Sequence, residues 1–513
     1  MTALILGALL VLVLLGEPLY VVIGVVTSMC LFAIGEATDL NAFTMLIEEI
    51  RELADKEVLL AIPFFVVSGS LMTAGDIANR LIDFAKAVFG FTPGGLAVST
   101  VFACVFFAAI SGSSPVTVIA IGSIMLPALV KEGYDEKFST GLVTSAGSLG
   151  ILIPPSIPMI VYAIVDPTGL RPKAAAGAAA AALDSGVKDL FLAGVGPGLL
   201  IGLMFAGWSV VQGRKVARTG MSLRQVGEKF VDGFWALMLP VIILGGIYTG
   251  LFTPTEAAAV SVIYALVVEL FIHKQLDLSA LPGLLVESAV LMGSLLIIMA
   301  LAIGFNKFLV LGDVTEMVVA RIVEWDLSPV GFMLVLNVLL LVVGCLMDIL
   351  SAILILVPLL SPLAVELGFH PIHVAIVFIV NLEIGYLTPP LGLNLFVSMS
   401  LFQRPLGFVV RSVLPFTALM VIALGIITYV PTVSLGPVNL LYGQPAYVPF
   451  PTSTSAGRGP AVEAVAPAAA PSKVLTLEEM MRASDPPASE RDPPAAPDRV
   501  LTLEEMMKAA EGP

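Results

Sequence analysis

Charge is what this sequence has least of. Only 12% of its 513 residues are Asp, Glu, Lys or Arg, against 58% hydrophobic, and the mean hydropathy is +1.02. A soluble domain carries about 25% charged residues, so little of this surface is built for water. Basic residues are the scarcer kind, 25 against 39 acidic for a formal net charge of −14, and no basic stripe exists to neutralise phosphates; nucleic acid is excluded as a partner. Cysteine is nearly absent: Cys30, Cys104 and Cys345 each sit in an apolar run without a spaced partner. They read as small buried hydrophobes rather than disulfides or metal ligands. His273, His370 and His373 fall near the ends of apolar runs, and with no HExxH or Cys cluster they read as interfacial rather than metal-binding. There are no paired catalytic acids, no nucleophile elbow and no phosphate loop, so the chain is not expected to be an enzyme or to need an organic cofactor. Met1–Leu15 lacks a basic n-region and a small-residue cleavage site, so it is not read as a removable signal peptide.

What the chain has in abundance is apolar sequence in span-length runs. A transmembrane helix needs about 20 such residues. The runs fall near 2–35, 57–74, 93–130, 138–165, 190–212, 233–250, 252–272, 282–305, 329–366, 372–402 and 408–432. This is an all-α polytopic membrane protein. Two of the runs, 93–130 and 329–366, are long enough for two passes or for a re-entrant hairpin. Each is interrupted at its centre, by Ser111–Gly112–Ser113–Ser114–Pro115 in one and by Met347–Asp348 with Ser351 in the other. A hairpin whose tip stops inside the membrane accounts for both interruptions, and such tips are tolerated where protein or a watery cavity surrounds them. The run after each hairpin carries a double proline, Pro154–Pro155 and Pro389–Pro390. Proline removes a donor and clashes with the preceding turn, so both helices are predicted to break there.

The two regions are related. A shift of 235 residues superposes Pro127 on Pro362, Gly133 on Gly368, Gly150 on Gly385, Pro154 on Pro389 and Pro155 on Pro390, and brings Ser113 onto Asp348. Gly and Pro fix backbone shape, so sharing them in register reads as a structural repeat, about 57–212 and about 292–432. Paired interrupted segments of this kind point to a transporter's binding site. Arg214, Lys215, Arg218, Arg224 and Lys229 put the 213–232 loop in the cytoplasm. Counting passes from there places Lys131–Lys137 inside, 166–189 outside, the second hairpin's feet outside and Arg404 and Arg411 inside, so the repeats are inverted. This path takes 233–272 as two passes. Residues 1–445 form the transmembrane domain, with an alanine-rich insertion at 167–188. The Pro/Ala/Ser-rich stretch 446–513 reads as a disordered tail with two short LTLEEMM helices on the outer side.

The first tip offers hydroxyls and turn carbonyls without formal charge, a ligand set suited to sodium; the alternative is close helix packing by small residues. The break after Ser145 adds carbonyls around Gly150 and Ile153. At the second tip, Asp348 is the one acid in a long apolar run, which makes it either a functional group or the cap of a half-helix. Asn381, Glu383, Thr388 and Asn394 surround the second break, with Thr388 and the Gly385 carbonyl the first-choice ion ligands; no partner for Glu383 can be named. Thr253–Pro254–Thr255–Glu256 reads as a capped helix start.

The stretches ISGSSPVTVIAIGSIMLPALVKEGYDEKFSTGLVTSAGSLGILIPPSIPMIVYA and GCLMDILSAILILVPLLSPLA, followed by NLEIGYLTPPLGLNLF, resemble the large membrane subunit, the DctM type, of tripartite ATP-independent periplasmic (TRAP) transporters. LLAIPFFVVSGSLM, DLFLAGVGPGLL and GLFTPTEAAAV match the same pattern, and the resemblance runs from about Met1 to Val433. It implies an elevator-type fold of the ion-transporter superfamily, in the bacterial inner membrane. It also implies sodium-coupled uptake of a small organic acid delivered by a periplasmic substrate-binding protein, with a small four-helix membrane subunit alongside. Carried over by motif, Ser111, Gly112, Ser113, Ser114, Gly150, Ile153 and Pro155 would form one sodium site. Gly344, Gly385, Thr388 and Leu391 would form the other, with Asp348 and Asn394 beside them. Sodium is then the coupling ion, and no other metal is implied. The insertion and the tail depart from the family pattern. Two rival readings remain: a self-sufficient sodium–dicarboxylate symporter of the same fold, and an intramembrane enzyme using Asp348. The second lacks a partner aspartate.

Overall fold

The computed structural model describes residues 57–170, 182–215, 222–286, 328–389 and 392–451, with scattered positions between and before them. The first compact unit ends at Gly457; residues 458–513 form a second, which with both LTLEEMM copies lies outside the described residues, as do the alanine-rich run from 174 to 181, Cys30, Pro390 and Leu391. The described residues contain helices and no strand. In chain order these are α1 Ala61–Ala74, α2 Ile77–Phe89, α3 Gly95–Ser111, α4 Ser114–Lys131, α5 Glu136–Gly147, α6 Ile157–Val165, α7 Ala182–Gln212 and α8 Leu223–Asp232. There follow α9 Phe234–Thr249, α10 Pro254–Val267, α11 Pro329–Leu346, α12 Ile349–Glu366, α13 Pro371–Gly385, α14 Leu393–Phe402, α15 Leu406–Tyr429 and α16 Thr432–Leu441. Among the described residues, seven helices are long and apolar enough to cross a membrane, or eight if α8 and α9, bent by 68° to each other, count as one span.

Both long runs are hairpins. Gly94, at the start of α3, lies against Ser209 and Gly213, and Gly213 in turn lies beside Tyr134, just past α4. The two feet of the first hairpin therefore share one end of the molecule, the end where α7 finishes. The feet of the second are also together, with the Phe332 and Phe369 rings 6.2 Å apart. Phe369 stacks edge-on to Phe450 at 5.4 Å, and pocket-lining Gly368 and Phe369 adjoin Pro431 and Leu435. That segment meets the beginning of α7, where the Tyr442 hydroxyl donates to Asp189 at 2.7 Å. The apolar part of α7, Gly186–Gln212, is 27 residues long and rises about 40 Å at 1.5 Å per residue. The hairpins thus enter from opposite ends.

The second arm of each hairpin closes in the same way. Gly133 donates to Val130 and Tyr134 to Leu129, each at 3.1 Å, closing α4 with Gly133 at φ 92°. Gly368 donates to Val365 at 3.0 Å and Phe369 to Ala364 at 3.1 Å, closing α12 with Gly368 at φ 87°. All four positions map onto one another under the 235-residue shift. Only glycine adopts this left-handed closing conformation without steric cost.

The segment 233–272 is two antiparallel helices, since the Tyr264 hydroxyl of α10 donates to the Trp235 carbonyl of α9 at 2.8 Å. Thr253 and Glu256 form the expected reciprocal cap at the start of α10. At the far end of α10 a one-turn π segment, Val268–Ile272, carries Glu269, which accepts from the amides of Asp76 and Ile77 at 3.2 Å each and so caps α2. Gly75 admits this carboxylate because it has no side chain; a Cβ there would lie 2.1 Å from the Glu269 carboxyl carbon.

Three expectations need correction. His273 and His373 are buried rather than interfacial. His373 bridges Ser434 Oγ at 2.8 Å and the Thr428 carbonyl at 3.1 Å, so it works as an interior tie. The chain also stays packed beyond Pro445, because Thr432 exchanges hydrogen bonds with the Val448 backbone at 3.0 and 3.2 Å.

Candidate functional site

Each predicted break is present. After α5 the helix tightens into a 3₁₀ turn, Ser148–Ile151, runs through Pro154–Pro155 and restarts at Ile157, capped by Ser156. α13 ends at Gly385, Tyr386 to Pro389 form turns, and helix restarts at Leu393 behind Gly392, φ 46°. The hairpin tips are short: Gly112 (φ 60°) and Ser113 in the first, Met347 and Asp348 in the second.

The first tip docks on the first break. A Cβ on Gly112 would lie 2.7 Å from the Pro155 carbonyl oxygen, and the Ile157 amide points at the Gly112 carbonyl at 3.5 Å. A Cβ on Gly150 would lie 2.5 Å from the Ser113 carbonyl oxygen and 2.7 Å from Thr117 Oγ1. Ser111 Oγ stands 2.9 Å from Thr117 Oγ1, which donates to the Ser113 carbonyl at 2.8 Å. Neutral oxygens from Ser111, Ser113 and Thr117 therefore converge beside Gly150. Thr117 was not singled out in the sequence; it lies four residues after Ser113, one turn into α4, where its hydroxyl reaches the carbonyl of that extended N-cap. The Ile153 side chain packs on Gly198 of α7, leaving only its backbone for the site.

The second docking is backbone on backbone, Gly344 of α11 against Gly385 of α13. Thr388 turns its hydroxyl onto the Ile384 carbonyl at 2.8 Å, and its amide onto Gly385 at 3.0 Å. Asp348 resolves as a cap: its carboxylate accepts from the Ser351 amide at 3.1 Å and from the Ser351 hydroxyl. Asn394 belongs to the other tip, donating to Ser114 Oγ at 2.6 Å across the repeats.

Between the two dockings lies a cavity of about 220 Å³, walled by Ser113, Ser114, Ile157, Asp348, Tyr386 and Leu393 among others, and a neighbouring one of about 310 Å³ extends past Gly344 and Phe396. Four helices begin at the first cavity: α4 at Ser114, α6 at Ile157, α12 at Ile349 and α14 at Leu393. Among the described residues no Lys, Arg or His lines it. Each helix N-terminus carries roughly half a positive charge, set against the one carboxylate in the lining, Asp348, which caps α12. Among the described residues no three His, Cys, Asp or Glu gather as a transition-metal site would require.

Paired hairpins, paired broken helices and a half-open cavity at their junction define a secondary-transport permease. The family model described as "Tripartite ATP-independent periplasmic transporter, DctM component" matches residues 6–433, and the chain belongs to this family. It is 46% identical, over 76% of its length and 88% of the relative's, to the C4-dicarboxylate TRAP transporter large permease protein DctM of Pseudomonas aeruginosa. It is 37% identical to the isethionate TRAP transporter permease protein DctMQ of Oleidesulfovibrio alaskensis, over 81% of this chain and 64% of that one. These relatives are permeases, not enzymes, and the intramembrane-enzyme reading falls. In fold, the crystal structure of the Alcanivorax borkumensis YdaH transporter superposes with a TM-score of 0.55 at 16% identity, covering 80% of this chain and 91% of that one.

Proposed function

We propose that the chain is the transport subunit of a sodium-driven importer in the bacterial inner membrane. It takes a small organic anion from a periplasmic binding protein and works beside a small helical membrane subunit. A C4-dicarboxylate is the first candidate substrate, from the name of the 46% identical relative. The observation that carries this reading is the cavity where four helix N-termini meet. Helix N-termini bind anions through free amides and the helix dipole. A dianion entering a low-dielectric site without basic side chains needs cations beside it, because isolated buried charge costs many kcal/mol. The neutral oxygen cluster at Ser111, Ser113 and Thr117 supports sodium in that role, with the Gly385 and Thr388 backbone as the second position. Hairpins entering from opposite ends support an elevator-type exchange of access, one tip screening the cavity from each side.

The test is uptake of labelled succinate into proteoliposomes holding the chain and its small partner, with the binding protein outside and an inward sodium gradient. Uptake that needs both the binding protein and the gradient is the expected result. Uptake undiminished under a proton gradient alone would sink sodium coupling. Uptake without the binding protein would favour the self-sufficient symporter.

A further inference from the structure

The two broken helices are joined at one point by residues that occupy the same position in the two repeats. Ser148 Oγ lies 2.9 Å from Glu383 Oε1, and their separation in sequence is 235, the repeat shift itself. Both side chains are fully buried, and Glu383 Oε2 has no hydrogen-bond partner among the described residues. A half-satisfied buried carboxyl is costly, and an apolar residue of similar volume would pack there more stably. Stability alone does not explain it.

Its position does. Ser148 opens the 3₁₀ turn that carries Gly150, the glycine seated on the first hairpin tip. Glu383 lies in the last turn of α13, which carries Gly385, the glycine seated on the second hairpin. Each member of the pair thus stands one short step from the contact between its own broken helix and hairpin. Ser148 Oγ is also 2.7 Å from the Ser145 carbonyl, so any shift of its turn changes what it can offer Glu383.

We propose that Ser148 and Glu383 are positioning residues that couple the two candidate ion sites. Ordering the 3₁₀ turn by an ion at the first site fixes Ser148, which holds Glu383 and with it the last turn of α13 at the second. Sodium binding is then positively cooperative, and the Ser148–Glu383 bond carries the cooperativity. This inference rests on the sodium reading given above.

The experiment is the sodium dependence of succinate uptake by the reconstituted complex, fitted for its Hill coefficient, which does not depend on how much protein is active. Wild type is expected to be sigmoidal, with a coefficient approaching the number of sites. Ser148→Ala is expected to fall toward unity, with half-saturating sodium raised about fivefold or more, the lower end of ordinary coupling. Ser148→Thr keeps the hydroxyl and Glu383→Gln keeps a polar partner for it, so both should stay steep. A Ser148→Ala response as steep as wild type overturns the inference while leaving sodium coupling in place, as does a hyperbolic sodium response in wild type. Loss of steepness in Glu383→Gln overturns the hydrogen-bond account. Uptake indifferent to sodium in wild type removes the underlying reading instead.

Discussion

Gly344 and Gly385 touch backbone to backbone: a methyl built on Gly385 would fall 2.4 Å from the Gly344 carbonyl oxygen and 2.7 Å from its Cα. Neither partner can retreat as a flexible side chain could, since both sit on long helices, α11 and α13.

Gly385→Ala is therefore expected to cost about 1–3 kcal/mol of stability by overpacking and to abolish uptake. Gly425→Ala is the control. Nothing lies within 4 Å of a Cβ there, and an alanine inside α15 should be neutral or stabilising by about 0.5–1 kcal/mol. Thermal melting of the purified protein and uptake in proteoliposomes check both.

Removing a single neutral oxygen ligand should weaken sodium binding without unfolding the protein. Ser111→Ala and Thr117→Val are each expected to raise half-saturating sodium on the order of tenfold, which corresponds to about 1.4 kcal/mol. Unchanged sodium dependence in both would move these residues to a packing role.

His370 gives a pH dependence at the end of the molecule where the second hairpin enters. Its ring accepts a hydrogen bond from the Ile372 amide at 3.3 Å, capping α13, which only the neutral imidazole can do. Burial lowers its pKa from 6.5 to about 4. The unfolded chain then binds the proton more readily than the folded one. The cap's contribution is complete above the unfolded value and is lost as pH falls through the interval toward the folded value. Melting temperature should drop across that interval, and His370→Asn, which caps without titrating, should drop less.

Sidedness separates inverted from parallel repeats. Cysteines at Glu132 and Glu366, in a background without Cys30, Cys104 and Cys345, should differ toward an impermeant thiol reagent on spheroplasts. Position 366 is expected to label and 132 to stay protected. Equal labelling would refute the inversion.

Sequence carried the hairpins and breaks because backbone-shaping residues mark them: Gly112 at a tip, Pro154 and Pro155 at a break, Gly150 and Gly385 at the dockings. It did not carry what depends on pairing across the fold. Glu383 stood out as an acid in an apolar run, yet its partner Ser148 lies in the other repeat and has no signature of its own. Glu269 carries no local motif for its role; only the approach of Gly75 makes it a cap. Asp348 was balanced between ligand and cap; Ser351 one turn on receives the cap, while the carboxylate also lines both cavities. Asn394 follows the second break in sequence but serves the first tip, a crossing that no local pattern encodes.

The Ser148–Glu383 bond also bears on how such a chain could have arisen. In a symmetric dimer of half-length chains, the residue beside the two-fold axis meets its own copy. That position admits a serine facing a serine with ease, whereas two facing carboxylates repel and resist ionising together. A serine opposite a glutamate is open only to a single chain in which the two halves mutate separately. The pair that ties the halves together is therefore a point at which they are not equivalent. Setting both positions to serine, by Glu383→Ser, would make the two sides of this contact identical.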